Sequence, residues 1–126
     1  MNTFNRKKNF RWVLLRHTSA PEDVLGFHFD FLLEDKEFCR TWRLSAIPLL
    51  DGPYVESLCI PPHNLYWLDI EEKVVSGNRG VAIRIKKGIF WESLPYIEEK
   101  FLNLPLIWDD VEVNLLIDKN GCRIFS

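Results

Sequence analysis

A nine-residue stretch, residues 26–34, constrains the fold of this chain more than any other. It reads Gly-Phe-His-Phe-Asp-Phe-Leu-Leu-Glu. Successive side chains of a β-strand point to opposite faces. One face therefore carries the apolar series Phe27, Phe29, Phe31 and Leu33. The other carries His28 and Asp30, followed by Leu32 and Glu34. The two polar side chains lie about 7 Å apart along the strand, close enough to bind one metal ion or one phosphate. The stretch thus predicts a strand with a core face and a face that offers ligands.

Length and charge limit the kind of protein. The chain has 126 residues and a formal net charge of −2. That length favours one compact domain, predicted over residues 10–126. Residues 1–9, with Arg6, Lys7 and Lys8, are predicted to form a basic N-terminal arm. The overall charge is not that of a polycation, so any contact with nucleic acid would be a local patch.

The cysteines and the apolar runs predict a cytoplasmic protein without a membrane segment. Cys39, Cys59 and Cys122 are odd in number and show no C-x-x-C spacing, which argues against a disulfide framework and against a zinc ribbon. We expect reduced thiols. No run approaches the roughly 18 apolar residues of a membrane-spanning helix, and the basic arm lacks the apolar core of an export signal.

Short apolar or alternating runs, separated by turn residues, predict an all-β fold. The predicted strands are residues 10–17, 26–34, 37–44, 55–60, 65–75, 81–86, 89–92, 111–117 and 122–125. Tight hairpins are expected at residues 35–36 and at Asn120-Gly121, and Pro61-Pro62 is expected to stop the strand before it. Residues 93–101 form the one stretch with helical character. About eight closely spaced strands with at most one short helix favour a small, closed or nearly closed antiparallel β-barrel.

The three histidines suggest a metal site. His17 closes the first strand, His28 lies beside Asp30, and His63 directly follows the double proline. Two imidazoles and one carboxylate suit Mn, Fe, Zn or Co, and they leave coordination positions for water and substrate. We expect His17, His28 and Asp30 to converge on one cation inside the barrel. The alternative is that each histidine merely bonds a backbone group, and that the polar face is simply exposed to water.

Four segments extend this pattern in chain order. They are Arg-His-Thr-Ser-Ala at 16–20, Phe-His-Phe-Asp-Phe-Leu-Leu-Glu at 27–34, Arg-Thr-Trp-Arg-Leu at 40–44 and His-Asn-Leu-Tyr-Trp-Leu-Asp-Ile-Glu at 63–71. Together they resemble the 3′-phosphoesterase domain of bacterial DNA ligase D, and more closely the small free-standing ligase-D-like proteins. That family has K-H-x-A, L-H-Y-D-F-R-L-E, K-S-W and H-P-L-D-Y-x-D-F-E-G in the same order. The resemblance covers about residues 10–91, and all three histidines fall on the family's functional histidines.

The resemblance implies an enzyme of DNA end repair that trims the 3′ ends of DNA or RNA. It would remove a terminal ribonucleotide or a 3′-phosphate with a divalent metal, Mn²⁺ first and Zn²⁺ or Co²⁺ as alternatives. His17, His28 and Asp30 would hold the metal, and His63 would act with Asp30 in catalysis by contacting the scissile phosphate. Nucleic-acid 3′ ends, and a separate DNA ligase, are the implied partners.

Three positions depart from the family. Leu32 replaces an arginine that contacts the phosphate in the family, Trp67 replaces a functional tyrosine, and Ala46 lies near the place of a lysine. Arg43 or Arg79 is expected to supply the missing positive charge, although each is equally well interpreted as a solvated surface arginine. The positions that would hold the metal match the family, whereas the positions that would contact the phosphate differ from it.

Two other functions therefore stay open. The chain could be a catalytically weakened module of the same fold that binds a metal or a nucleic-acid end. It could also be a small ligand-binding barrel unrelated to nucleic acid, in which the polar face lines a cavity.

Overall fold

The computed structural model describes residues 9–18, 21 and 26–126. Within them, nine strands form one antiparallel sheet. The strands are β1 (Phe10–Thr18), β2 (Phe27–Asp35), β3 (Phe38–Leu44), β4 (Ser57–Asn64), β5 (Glu72–Val74), β6 (Val81–Phe90), β7 (Leu102–Trp108), β8 (Val111–Asp118) and β9 (Gly121–Phe125). A 3-10 helix, Leu65–Asp69, lies between β4 and β5. The basic arm predicted at the start of the chain lies, except for Asn9, outside the described residues.

The sheet curls until its two ends approach each other. Its order is β4-β3-β2-β1-β6-β7-β8-β9, and β5 pairs with β6. Val55, just before β4, exchanges two backbone hydrogen bonds of 2.8 Å with Cys122 of β9. Gly121 permits this closure, because a Cβ atom there would collide with the carbonyl oxygen of Val55. The predicted all-β, nearly closed antiparallel barrel is confirmed.

A large apolar core fills the concave side of the sheet. It takes Phe29, Phe31 and Leu33 from β2, as the alternation predicted. The Trp12 ring stacks on Trp108 with centroids 4.9 Å apart, and the Phe31 ring meets Trp12 edge-on at 5.4 Å. Because side chains occupy the interior, the barrel encloses a packed core rather than an open lumen.

A smaller apolar cluster covers the opposite face of β1, β2 and β3. Its buried members are Val13, Leu15, Leu32, Cys39 and Leu68. Leu68 comes from the 3-10 helix, which therefore lies over this face. Strand β2 is consequently buried on both sides for most of its length.

The double proline does not end a strand, contrary to the prediction. Strand β4 runs through Pro61 and Pro62 to Asn64. Here β4 pairs with β3 alone, and the pairing register shifts between Cys39 and Thr41. Proline is tolerated on an edge strand and beside a bulge, because no neighbour needs its missing N–H.

The single strand predicted at 65–75 is also wrong, because the 3-10 helix and the short β5 occupy this stretch. The Asn64 side chain caps the helix by accepting a hydrogen bond of 3.0 Å from the Tyr66 amide. Asparagine is a preferred residue at such a cap, which explains why the chain leaves the extended conformation there.

Residues 93–101 form no helix. Instead, the carbonyl oxygens of this segment accept hydrogen bonds from two side chains of β3. Arg40 donates to Pro95 and Glu99 at 2.5 Å each, and Trp42 donates to Lys100 at 3.2 Å. These hydrogen bonds hold the segment against the barrel. They also satisfy its carbonyl groups, which therefore do not need the amides of a helix as partners.

Smaller differences concern turns and strand ends. The first hairpin turns at Lys36-Glu37, one residue later than predicted, and Lys36 adopts a positive φ of 58°. Strand β6 continues to Phe90, so residues 89–92 do not begin a new strand. The hairpin between β8 and β9 is confirmed. The three cysteines are free thiols. None of the described helical residues forms a segment long and apolar enough to cross a membrane.

Gly88 of β6 lies where the β4-β3-β2-β1-β6 part of the sheet meets the β7-β8-β9 part. Strands β6 and β7 pair only at Phe90 and Leu106. Trp12 lies opposite Gly88 in the register and donates a hydrogen bond of 3.1 Å to the Ile107 carbonyl of β7. A Cβ atom at Gly88 would lie 2.5 Å from that carbonyl oxygen and 2.6 Å from the Trp12 indole nitrogen. Because Gly88 has no side chain, the Trp12 indole can cross β6 and reach the Ile107 carbonyl.

Gly88→Ala is expected to lower the free energy of unfolding by about 2–3 kcal/mol, because the new methyl group overpacks this crossing. Urea unfolding measures the change. Lys87→Ala, at the exposed neighbouring position, is the matched control and should stay within about 0.5 kcal/mol of the wild type. Equal stability of the Gly88 variant would show that the crossing is not tightly packed.

Candidate functional site

His17, His28 and Asp30 come together where β1 and β2 pair. His17 stands directly opposite His28 in the register, and their ring centroids lie 4.8 Å apart. One ligand atom from each of the three residues lies within 4.8 Å of the other two. The three side chains that the sequence proposed as a metal site are therefore neighbours, and this group could hold a metal ion.

The group was expected to lie inside the barrel, and that prediction is wrong. Along β1 and β2, His17, His28 and Asp30 alternate with the residues of the large core and share their face with Leu15 and Leu32. That is the outer face of the sheet, which the 3-10 helix covers. The packed interior contributes no ligand to the group.

Asp30 is buried beside His28 and Arg43. Its exposed fraction is 4%, and that of His28 is 5%. His28 Nε2 lies 3.2 Å from Asp30 Oδ2, and Arg43 Nε donates to Asp30 Oδ1 at 3.4 Å. Burial would raise the pKa of Asp30, but the His28 hydrogen bond and the charges of His28 and Arg43 outweigh it. The net pKa lies below its usual range. The carboxylate is therefore ionised at neutral pH, as a metal ligand must be.

These distances suit a divalent metal. Two ligands about 2.1 Å from one ion, at a tetrahedral angle, are roughly 3.4 Å apart. The His28–Asp30 separation of 3.2 Å already matches that value. His17 is half-buried, and its ligand atom lies within 4.8 Å of those of His28 and Asp30. The donor set thus fits Mn²⁺, Zn²⁺, Fe²⁺ or Co²⁺, and it leaves coordination positions open.

The turn between β5 and β6 orients His17. Its Nε2 lies 2.5 Å from the backbone carbonyl oxygen of Arg79. Metal-binding histidines commonly donate one ring N–H to such a carbonyl and present the other nitrogen to the ion. The turn can reach β1 because Gly77, Asn78 and Gly80 adopt positive φ.

A hydroxyl group holds His63. The Thr41 Oγ1 lies 3.1 Å from His63 Nδ1 and donates to the Cys39 carbonyl oxygen at 3.1 Å. A carbonyl only accepts, and a threonine hydroxyl has one proton to give. If that proton goes to Cys39, the His63 Nδ1 must carry the hydrogen. The neutral ring then keeps its Nε2 lone pair for a ligand.

His63 is neutral at pH 7. Burial lowers its pKa, although the Asp30 charge and the Pro61 carbonyl act in the opposite direction. The nearby Arg43 and His17 lower the pKa further. The ring therefore accepts a proton at neutral pH more readily than it donates one.

A pocket of about 430 Å³ opens beside the group. Asp30 and His17 form part of its wall, and His63 faces them from β4. The cationic side chains around it are Arg43, Lys73 and Arg79. Arg43 is half-buried against Asp30 rather than solvated, whereas Arg79 is exposed and donates to the Ser76 carbonyl at 3.0 Å. Both arginines that the sequence offered as replacement charge lie at this pocket.

The three altered family positions have different surroundings. Leu32 has no exposed surface and packs in the smaller cluster. An arginine there would have to bury its guanidinium group, which is costly without a partner. Ala46 is exposed in the bend after β3. Trp67 is half-buried at the pocket, and its ring centroid lies 6.2 Å from that of His63.

Three residues at the site were not predicted to act there. Lys73 pairs with Ala82, which pairs with His17, so the register of three strands brings this lysine to the pocket. Tyr66 lines the pocket beside it, with the Lys73 nitrogen 5.9 Å from its ring centroid. The sequence singled out Thr41 only as a member of segment 40–44, which resembles the K-S-W element of the family. The alternation of β3 places it on the Arg43 face, but its contact with His63 depends on the pairing of β3 with β4.

No protein-family model matches the sequence, and no curated protein is similar enough to count as a relative. The likeness to the ligase D domain therefore stays a prediction. The chemistry of the site has to be inferred from its geometry.

Calorimetry with Mn²⁺ and with Zn²⁺ is expected to show one bound ion in the wild type. His17→Gln should weaken binding at least tenfold, because it removes a ligand at a half-buried position where glutamine can be accommodated. His63→Gln is the matched control, since His63 is outside the three-residue group and metal affinity should be retained. Equal affinity of the His17 variant and the wild type would exclude His17 as a ligand.

Thr41→Val should release His63 from its fixed tautomer and lower the free energy of unfolding by about 1–3 kcal/mol, because it leaves buried polar groups without a partner. Thr41→Ser keeps the hydroxyl and should restore both properties. Nitrogen-15 NMR distinguishes the Nδ1–H and Nε2–H forms of the ring. An Nε2–H form in the wild type would contradict the arrangement inferred from Cys39 and Thr41.

Proposed function

We propose that this protein is a metal-dependent phosphoesterase that acts on the 3′ ends of nucleic acid and removes a 3′-phosphate or a 3′-terminal ribonucleotide. The proposal rests on one observation: a group that could hold a metal ion lies beside a pocket lined by cationic side chains. His17 and Asp30 line the same pocket as Arg43, Lys73 and Arg79, and His28 is the third member of their group. Divalent metal and cationic side chains together suit a phosphate ester.

Each residue has a role in this proposal. His17, His28 and Asp30 hold the metal, which when bound would neutralise phosphate oxygens and make a bound water more acidic. Lys73 and Arg79, which line the same pocket, attract and orient the phosphate.

Arg43 keeps the Asp30 carboxylate in place, because its Nε contacts Asp30 Oδ1 while His28 contacts Oδ2.

His63 is the proposed general base. In its neutral form, Nε2 takes a proton from the attacking water as the water oxygen bonds to phosphorus. The bond between phosphorus and the 3′ oxygen breaks, and that oxygen takes a proton from solvent. Thr41 fixes the ring so that Nε2 keeps its lone pair. General acid–base catalysis of this kind contributes about 10²- to 10⁴-fold to a rate.

We infer Mn²⁺ as the preferred ion, with Zn²⁺ or Co²⁺ as alternatives. A mixed set of imidazole and carboxylate ligands with open positions suits all three, so affinity alone does not select among them. Mn²⁺ accepts further oxygen ligands, which is what a phosphate and a water would supply. This preference follows the resemblance to the ligase D domain.

One observation favours a second candidate, a catalytically weakened module that binds a metal and a nucleic-acid end. The family's phosphate-binding arginine is replaced by the buried Leu32, and Arg43 is engaged with Asp30. Such a module would work beside a separate DNA ligase. A ligand-binding barrel is less well supported, because apolar side chains fill the interior and the polar group lies outside it.

Release of inorganic phosphate from a 3′-phosphorylated oligonucleotide in Mn²⁺ tests the proposal. The wild type should turn over, and His63→Gln should lower kcat by about 10²-fold or more while metal binding persists. Lys87→Gln is a control, because this exposed residue is remote from the pocket. A wild type that binds metal and the 3′ end without turnover would establish the weakened module instead. A chelator-resistant activity would contradict both candidates.

A further inference from the structure

A second pocket adjoins the first and shares a wall with it. Its volume is about 590 Å³, and it lies between the start of β4 and the turn that joins β8 to β9. Arg43 lines both pockets. Of the metal-capable group, His17 and Asp30 face the first pocket, and His28 faces the second. The candidate metal position therefore lies at the boundary between two depressions in one surface.

We propose that the second pocket is a subsite for the nucleotide that precedes the 3′ terminus. This inference rests on the proposed function. A 3′ end consists of a terminal group and a chain that leads away from it, so a site for such ends needs an exit path that starts at the reacting phosphate. Pockets of about 300–1,000 Å³ each accommodate one small ligand, and both depressions fall within that range.

The lining of the second pocket suits a sugar–phosphate backbone. Lys119 supplies a positive charge, and Ser45, Ser57 and Asn120 supply hydroxyl and amide groups. Groups of these types bind phosphate and sugar oxygens without reading the bases. Glu56 is the acidic side chain of this lining, and its ionised carboxylate only accepts hydrogen bonds, so it suits a sugar hydroxyl rather than a phosphate.

An apolar surface lies beside these polar groups. The Leu58 side chain is 62% exposed and stands opposite Arg43 in the register of β3 and β4. A nucleotide base could lie against Leu58 while its phosphate contacts Arg43 or Lys119. Such contacts tolerate any base, because they use its flat face rather than its edge.

The turn that carries Lys119 is held in place by the barrel. The Asn120 amide donates to Asp118 Oδ1 at 2.8 Å, and the Tyr54 hydroxyl donates to Asp118 Oδ2 at 2.9 Å. Tyr54 precedes Val55, whose bonds to Cys122 close the barrel. A preorganised turn loses little conformational entropy when it binds a ligand.

The test compares ligands of increasing length. Nucleotides of one, two and three residues are prepared with a 3′-methylenephosphonate, in which a phosphorus–carbon bond replaces the cleavable phosphorus–oxygen bond. Calorimetry on the Mn²⁺-loaded wild type should show that the dinucleotide binds about tenfold more tightly than the mononucleotide, and that a third residue adds less.

Lys119→Glu should reduce this ratio of affinities about fivefold, because it replaces an attractive exposed contact with a repulsive one. Lys36→Glu reverses an exposed lysine in the hairpin between β2 and β3 and should leave the ratio at its wild-type value. Circular dichroism confirms that both surface variants fold.

Two results would overturn the subsite. One is a wild type without a length effect, and the other is a Lys119 variant that keeps the full ratio. The proposed function is judged separately, by phosphate release from cleavable 3′ ends, so an active enzyme without a length effect refutes the subsite alone. A wild type that binds none of the three ligands also shows no length effect, so it refutes the subsite in the same way.

Discussion

The buried pair of His28 and Asp30 is the interaction on which the site depends. A carboxylate with 4% of its surface exposed would be strongly destabilising without partners. His28 and Arg43 each contact one oxygen of Asp30, and they keep it ionised despite burial. The 3-10 helix packs Leu68 against Leu32 and its neighbours on this face of β2. His63 of β4 lines the pocket beside Asp30.

The packed barrel makes that arrangement rigid. The Trp12 indole crosses β6 at Gly88 and ties β1 to β7, while Gly121 admits the Val55 carbonyl at the point of closure. Strand β1 therefore has a fixed position in the sheet, and His17 with it. Residues after Trp91 contribute β7, β8 and β9. They complete the barrel and present the Lys119 turn to the outer face.

The site combines a group that could hold a metal ion with a pocket whose cationic side chains come from three different parts of the chain. The three ligand side chains occupy one small region, but positive charge reaches the pocket from places other than the buried position of Leu32. Arg43 comes from β3, Lys73 from β5 and Arg79 from the turn that also binds His17. Compared with the ligase D pattern that the sequence resembles, the proposed phosphate contacts come from other positions, whereas the proposed metal ligands keep theirs.

The sequence by itself determined the all-β class and the two faces of β2, with His28 and Asp30 on one of them, because strand alternation is a local property that neighbouring residues fix. The sequence only suggested that His17 joins this pair, and the register of β1 with β2 decided it. The sequence did not determine that this group lies outside the barrel, since alternation separates two faces without saying which one encloses the core. The tertiary structure decided the rest. Pro61 and Pro62 remain in a strand because β4 is an edge, and residues 93–101 are held against the barrel by Arg40 and Trp42 of β3. Lys73 reaches the pocket only through the register of β5, β6 and β1, and pairings between distant segments cannot be inferred from the local sequence of any one of them.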